Sequence, residues 1–185
     1  MDSHIEACLL QLTSITQDLP GVARGLSSEQ FNWRPSPGQW SIGQCVEHLN
    51  ITTERYLPVL RSAIAEARAS GKLSHWPLAL GLLERAFLRM LEPPVRMRAK
   101  APKAFVATEA LSPAETLSRW DRLNVELGEC LRLAEGLDHR RVRVRSQFGP
   151  MSFSLAATFL ILLAHDRRHI WQARQVRNAG SFPRE

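Results

Sequence analysis

Apolar residues recur every three or four positions over most of the chain, which is the spacing of amphipathic helices. The first segment with this spacing runs from about Ser3 to Asp18. Pro20-Gly21 follows it, and we expect this pair to end the helix because proline and glycine interrupt helical backbone. The pattern therefore predicts a first helix of about four turns.

A capping signal predicts the second helix. Ser41-Ile42-Gly43-Gln44 has the form of a capping box, in which the serine and glutamine side chains bind each other's backbone N–H groups. The helical pattern continues towards Ala69, and Pro58 is expected to kink or restart the helix. A shorter apolar helix is predicted from roughly residue 77 to residue 91, and a long connection follows over residues 95–111.

Two further long helices are predicted in the second half of the chain. One opens at a second capping box, Ser112-Pro113-Ala114-Glu115, and runs to about Leu137. The other begins near Ser152 or Ser154 and runs to Asn178, with arginines in its last turn where they favour the helix C-terminus.

The alternating segment Arg141–Arg145 lies between these helices and is the single strand that the pattern predicts. Four long helices, one short helix and at most a minor strand indicate an all-α protein, an antiparallel four-helix bundle. The 185 residues suffice for one domain with a core and are too few for two. We therefore expect a single domain over residues 1–185.

Composition narrows the class of protein. The apolar fraction of 44% and the charged fraction of 23% are typical of a soluble globular protein. The longest apolar run, residues 155–164, is too short to span a membrane, and the N-terminus shows no secretory signal. These features predict a cytoplasmic protein without a membrane partner. The three cysteines are widely spaced and form no C-x-x-C pattern, which argues against a disulfide framework and a cysteine-built zinc site.

The net charge of +6 comes almost entirely from arginine, since the chain has three lysines. The arginines are scattered except for one group within residues 140–145. Nucleic-acid-binding proteins usually carry a concentrated basic stripe on a recognisable docking element, and neither is evident here. The sequence therefore argues against a nucleic-acid partner.

Candidate chemistry lies in the last helix. His165 and His169 are four residues apart, so their imidazoles share one helical face and can converge on a cation. With six histidines in the chain, such a pair is a weak signal alone. His48 strengthens it, because it lies in the middle of the second helix beside core positions. Facing helices would bring three imidazoles together with an open coordination position, the pattern of catalytic metal sites.

Several neighbouring residues are candidates for supporting roles. Cys45 lies one turn before His48 and is interpreted either as a fourth, thiolate ligand or as a small core residue. The other candidates are outer partners of the imidazoles, Gln44 and Gln172, and cations that could hold an anionic substrate or pair with surface charge, Arg55 and Arg168. Glu47 and Asp166 are expected to face solvent or form inter-helix salt bridges, and His4, His75 and His139 to have surface or packing roles.

Three motifs occur together: a tryptophan- and proline-rich loop before a helix that carries His48-Leu49, a terminal H-x-x-x-H, and a lead-in to the last helix at Phe148-Gly149-Pro150-Met151-Ser152. In combination they resemble the DinB/YfiT-like superfamily over the whole domain, although residues 72–140 match in helical character alone. The resemblance implies a four-helix bundle, often homodimeric. It also implies that His48, His165 and His169 bind a divalent metal: nickel or zinc first, with manganese and iron as further candidates.

The same resemblance implies a metal-dependent enzyme acting on a small molecule. Characterised relatives include transferases that use low-molecular-weight thiols and thiol-dependent isomerases. The expected activities are therefore transfer of a small thiol to an electrophile, or metal-dependent hydrolysis. No catalytic residue beyond the ligands is identified. The alternatives are a non-catalytic metal-binding protein with a stress-related or regulatory role, and a bundle that keeps three buried, hydrogen-bonded histidines without a metal.

Overall fold

Six helices, one 3-10 turn and one hairpin make up the part of the chain that the computed structural model describes, residues 3–74, 80–94, 101–106 and 110–184. In chain order the elements are α1 (Ser3–Ala23), α2 (Ser28–Asn32), α3 (Ile42–Ala69), α4 (Leu82–Leu91), the 3-10 turn (Lys103–Phe105), α5 (Pro113–Leu133), β1 (Arg143–Arg145), β2 (Ser152–Ser154) and α6 (Leu155–Arg177). The first residues of the predicted short helix, 77–79, and the predicted surface histidine His75 lie outside the described residues.

The four long helices form the predicted bundle. α3 packs against α5 and α6, and α1 packs against the same two helices. Each helix contributes one apolar face to a common core, whose largest fully buried side chains include Trp120, Tyr56, Phe31, Ile5 and Leu19. The all-α fold class is therefore confirmed. No helix among the described residues is both long enough and apolar enough to cross a membrane.

The start of α3 is fixed by the predicted capping box. The Ser41 hydroxyl accepts a hydrogen bond from the Gln44 backbone N–H, and the Gln44 side chain accepts one from the Ser41 backbone N–H. The turn beyond the cap packs closely on α2, because a Cβ atom on Gly43 would lie 2.7 Å from two ring carbons of Phe31. Cap and close packing together set where α3 begins.

Two prolines lie inside helices, at positions where the sequence pattern predicts an interruption of the helix. α1 continues through Pro20 to Ala23, so the predicted end at Pro20 is wrong. A proline inside a helix costs about 3 kcal/mol, whereas burial of Leu19 and Val22 contributes about 1.5–3 kcal/mol each. α3 is likewise unbroken at Pro58, which lies on its exposed face, where water can bind the carbonyl group that loses its N–H partner.

A short antiparallel hairpin precedes α6. β1 pairs with β2, with Arg143 opposite Ser154 and Arg145 opposite Ser152. The predicted strand is confirmed in a shorter form, and its partner strand lies where the helix start was expected. Ser154 ends the hairpin and caps α6, because its hydroxyl accepts from the Ala157 backbone N–H. Three residues of strand are too few for an alternating pattern to be recognised.

Glu84 ties the short helix α4 to the start of α6. One carboxylate oxygen accepts from the backbone N–H of Gly81, and the other accepts from that of Ser154. Arg143 lies 3.6 Å away. Burial would raise the pKa of Glu84, but these donors and Arg143 outweigh burial and hold the pKa below its ordinary value.

We expect Glu84→Gln to lower the free energy of unfolding at pH 7 by about 1–3 kcal/mol, because it removes charge-assisted hydrogen bonds to two helix starts. Since the folded pKa is lowered, the stabilisation is present above the unfolded pKa of about 4.3 and is lost as pH falls through the folded value. Urea unfolding at pH 7 and at pH 3 measures both effects. The exposed Glu29→Gln is the matched control, and an equal effect of the two variants at pH 7 would contradict the assignment.

Candidate metal centre

Three histidines from two helices meet inside the bundle. His48 comes from α3, and His165 and His169 come from successive turns of α6. The side chains are 2%, 7% and 8% exposed respectively. One nitrogen from each ring lies within 4.8 Å of those of the other two. The sequence predicted that these three residues would converge, and the fold brings them together.

The spacing of the nitrogens suits a shared cation. The Nε2 atoms of His48 and His165 are 3.0 Å apart. Two nitrogen lone pairs repel at this distance unless a proton or a cation lies between them. Ligand bonds of about 2.1 Å place neighbouring nitrogens about 3.0 Å apart in an octahedron and about 3.4 Å apart in a tetrahedron. The observed separation of 3.0 Å equals the octahedral value and is shorter than the tetrahedral value, and a proton shared between the two nitrogens would also fit it.

Hydrogen bonds within the protein do not account for all of the imidazole nitrogens. Nδ1 of His165 and Nδ1 of His169 are buried and have no hydrogen-bond partner among the described residues. Burying polar atoms without partners costs free energy, so natural cores seldom keep them without a function. This result argues against the interpretation of the cluster as three fully hydrogen-bonded core histidines.

His48 is oriented by a backbone carbonyl from the 3-10 turn. Its Nδ1 lies 2.8 Å from the Phe105 oxygen, which can only accept a hydrogen bond, so Nδ1 carries the proton. The Nε2 lone pair is then directed towards the other two histidines. A second hydrogen bond of this kind is how proteins usually fix the tautomer of a metal-ligating histidine.

The surroundings favour neutral imidazoles, the form that binds metals. Burial lowers the pKa of His48, although the Phe105 carbonyl acts in the opposite direction. Burial also holds the pKa values of His165 and His169 well below the ordinary value, and the neighbouring imidazoles and Arg168 lower them further. All three imidazoles are therefore neutral at pH 7, so each can bind a cation without first releasing an imidazolium proton.

Aromatic side chains surround the cluster. Trp40 stacks on His169 with ring centroids 5.5 Å apart, and its centroid lies 4.9 Å from that of His48. Phe148 lies 5.7 Å from His165 by the same measure, and Phe105 and Phe148 stack on each other at 4.5 Å. These rings exclude water, and a bound charge would act more strongly in such surroundings than in bulk solvent.

The residues that were predicted to support or join the metal ligands lie in different surroundings. The Gln172 side chain lies beside His169 and acts to raise its pKa, which places it where an outer partner of a ligand is expected. The Gln44 side chain binds the Ser41 backbone at the helix cap. Cys45 is 1% exposed, lies in the core, and has a pKa raised by burial, which favours the neutral thiol over the thiolate that binds metals. These observations favour the core interpretation of Cys45.

The two arginines near the cluster also differ. Arg55 is exposed, its guanidinium carbon lies 4.7 Å from the Phe105 ring centroid, and it donates to the Ala104 carbonyl. Arg168 is half-buried, donates to the Met90 carbonyl, and has a pKa lowered by burial. Both are cations near the imidazoles, and their predicted role in holding an anionic substrate stays a prediction.

The two acidic residues next to the histidines in sequence, Glu47 and Asp166, also have different surroundings. Glu47 forms the expected inter-helix salt bridge, with 2.5 Å between its carboxylate and Arg119. Asp166 was predicted to face solvent or form a salt bridge, and this prediction is wrong for the solvent-facing case because the residue is 2% exposed. Its Oδ2 has no hydrogen-bond partner among the described residues. Burial raises the pKa of Asp166 well above the ordinary value, although Arg167 acts in the opposite direction.

Two residues of this centre, Phe105 and Phe148, are not predicted from the sequence. Phe105 lies in the segment that was predicted to be a long connection, and Phe148 was noted as part of a motif and given no role. No local signal marks Phe105. The motif that contains Phe148 marks the start of the last helix and gives no sign of a contact with the histidines, because both phenylalanines reach the cluster through the fold. Trp40 belongs to the tryptophan- and proline-rich loop of the sequence motif, and the structure shows its contacts with the imidazoles.

Comparisons with known proteins agree with this architecture. The sequence model of the DinB superfamily matches residues 11–173 of the chain. The structure of YfiT from Bacillus subtilis is similar, with a TM-score of 0.60 and 13% sequence identity over 96% of this chain and 87% of that chain. YfiT is described as a probable metal-dependent hydrolase with an unusual four-helix bundle topology. A search of curated proteins gave no match.

We expect Asp166→Asn to raise the free energy of unfolding of the metal-free protein at pH 7 by about 1–3 kcal/mol, because it removes a buried acid. The folded pKa is raised, so the carboxyl destabilises the fold increasingly as pH rises above its unfolded pKa of about 3.9. The gain should therefore shrink as pH approaches 4. Urea unfolding at both pH values tests this, with the exposed Asp121→Asn as control, and a loss of stability at pH 7 would show an ionised, paired carboxylate instead.

Proposed function

The chain belongs to the DinB superfamily, and on that basis we propose that it is a metal-dependent hydrolase whose divalent ion is held by His48, His165 and His169. One observation carries the proposal: three buried imidazoles from two helices converge, and no cysteine or carboxylate among the described residues joins their cluster. Three protein ligands leave a coordination position for water or substrate, which distinguishes catalytic from structural metal sites.

A divalent ion in this place would act as a Lewis acid and lower the pKa of water. The residues of the chain contribute the rest. His48 is held in one tautomer by Phe105, and the Gln172 side chain lies beside His169. Trp40 and the two phenylalanines exclude bulk water from the cluster, which strengthens electrostatic interactions inside it. The chain thus supplies the metal ligands, the groups that orient them, and the aromatic rings that exclude bulk water.

The similar structure supports hydrolysis as the reaction class. YfiT is described as a probable metal-dependent hydrolase, and this chain shares its fold. A hydrolase of this kind acts on a small molecule, since the cluster lies inside a single bundle. We further propose that the whole chain, residues 1–185, is one domain. A homodimeric assembly, a cytoplasmic location and the identity of the metal, with nickel and zinc as first candidates, stay predictions.

Two other functions implied by the sequence remain to be separated from hydrolysis by experiment. Thiol transfer would use the same ion to bind a small thiol, and no described residue is dedicated to that purpose. A non-catalytic, regulatory metal site would need a closed coordination sphere, and the described residues supply three ligands. We place hydrolysis first because the similar structure is described as a probable metal-dependent hydrolase and because three ligands leave a coordination position open.

We expect the reconstituted protein to hold about one divalent ion per chain, and His48→Ala to weaken its affinity at least 100-fold, by about 3 kcal/mol or more. Elemental analysis after reconstitution with zinc or nickel measures this, with His4→Ala as the control. Because the imidazole pKa values are lowered, protons should displace the ion only below about pH 6.5. Equal metal content in the wild type and in a folded His48→Ala variant would exclude this centre.

We expect the metal-loaded protein to hydrolyse members of a panel of small esters and amides, and a chelator to abolish the activity until metal is restored. His48→Ala should lose the activity, and His4→Ala should keep it. A parallel assay offers N-acetylcysteine with 1-chloro-2,4-dinitrobenzene. Metal-dependent consumption of thiol without any hydrolysis would replace the hydrolase by a transferase, and inactivity in both assays would favour the regulatory site.

A further inference from the structure

The histidine cluster is closed to ligands in this conformation. None of its three side chains is more than 8% exposed, so a molecule the size of a substrate cannot touch them unless a covering side chain moves. Among the described residues, three aromatic side chains contact the cluster and cover it: Trp40, Phe105 and Phe148. The question is which of them can move without breaking other interactions.

Trp40 is held on both sides along the chain. The next residue, Ser41, is 1% exposed and caps α3. The carbonyl of the preceding residue, Gln39, accepts a hydrogen bond of 2.7 Å from Arg34. The ring also packs against two imidazoles at once. Displacing Trp40 would therefore disturb the helix cap and the loop before it.

Phe105 is held even more firmly. Its side chain is 2% exposed, and its carbonyl accepts the hydrogen bond from His48. Its backbone N–H donates to Pro102, and the guanidinium of Arg55 covers its ring. Moving Phe105 would release His48 from its fixed tautomer, so this residue belongs to the rigid part of the centre.

Phe148 is held differently, because it lies at the tip of the loop between β1 and β2. The base of this loop is closed by a hydrogen bond of 2.8 Å from Ser146 N–H to the Met151 carbonyl. The Tyr56 hydroxyl, which accepts from Gln147 N–H, anchors the same base to α3. Phe148 itself is 36% exposed, and its N–H donates within the loop, to the Ser146 hydroxyl. Its ring contacts Tyr56 as well as Phe105 and His165, with a centroid distance of 6.0 Å to Tyr56, so the ring contacts that it would lose on moving are these three.

We propose that Phe148 is the specificity-determining gate of the histidine cluster, a side chain that turns away from Phe105 and His165 to admit a ligand while the base of its loop stays fixed. This inference rests on the proposed function, since it concerns access to the same cluster. A ligand that enters meets the vacated faces of Phe105 and His165. The gate therefore selects small molecules with a flat apolar group next to the group that reaches the imidazoles.

The test measures the access of a small reagent to the histidines of the metal-free protein. Diethyl pyrocarbonate acylates neutral imidazoles, and peptide mass mapping gives a rate for each histidine. We expect Phe148→Ala to raise the rates at His165 and His48 at least about tenfold over wild type. Phe148→Trp, which keeps a large ring in place, should not raise them.

A control variant and two control histidines distinguish opening of the gate from general destabilisation of the fold. Met151→Ala changes another exposed residue of the same loop and should leave the rates unchanged. His139 is 8% exposed and lies 2.7 Å from the Ala134 carbonyl, so its acylation reports unfolding, and the partly exposed His4 calibrates the reagent. Rates at His165 that are equal within twofold in wild type and Phe148→Ala would overturn the gate. So would a wild-type His165 as reactive as His4, or an equal increase in Met151→Ala.

A second measurement uses the zinc-loaded protein. Zinc removal by excess EDTA should be about tenfold faster in Phe148→Ala than in wild type, because opening of the gate limits access. If the wild type binds no metal, the proposed function fails, and the acylation rates still decide the gate. If metal binds and the acylation rates do not change, the gate fails and the proposed function stands.

Discussion

The close approach of His48 to His165 exists because α3 and α6 lie side by side with their apolar faces in contact. Their Nε2 atoms are 3.0 Å apart, although the residues are 117 positions apart in the chain. Burial of residues such as Leu49 and Leu162 presses the two helices together and brings the imidazoles with them. A hydrophobic contact of this kind is not directional, so the exact meeting of the rings depends on the register that the helix caps set.

Burying these polar groups lowers the free energy of unfolding, and this loss of stability indicates that the groups have a function. The three imidazoles of the cluster are buried, as is the carboxyl of Asp166 on the same helix as two of them, and several of these polar atoms have no partner among the described residues. A core of the same size built from apolar residues would be more stable. Proteins usually tolerate such groups where they bind or react with something, which supports a functional role for the histidine cluster.

Much of the fold follows from local features of the sequence. The helical spacing of apolar residues predicts the four long helices, and the Ser41–Gln44 capping box predicts where α3 begins, because caps act within one turn. The pairing of His165 with His169 follows from helical geometry alone. Pro20 was misjudged because its local penalty is offset by burial, which depends on the neighbouring helices.

The sequence by itself determined the four long helices, the Ser41 cap of α3 and the shared face of the terminal histidine pair, since each depends on residues within a few positions of one another. The tertiary structure alone decided which residues complete the centre. Phe105 lies 57 positions from His48 and orients it through a backbone carbonyl, which every residue type possesses. Phe148 covers His165 because a hairpin closes beside α6. No residue pattern marks such contacts, since they arise from the packing of distant segments.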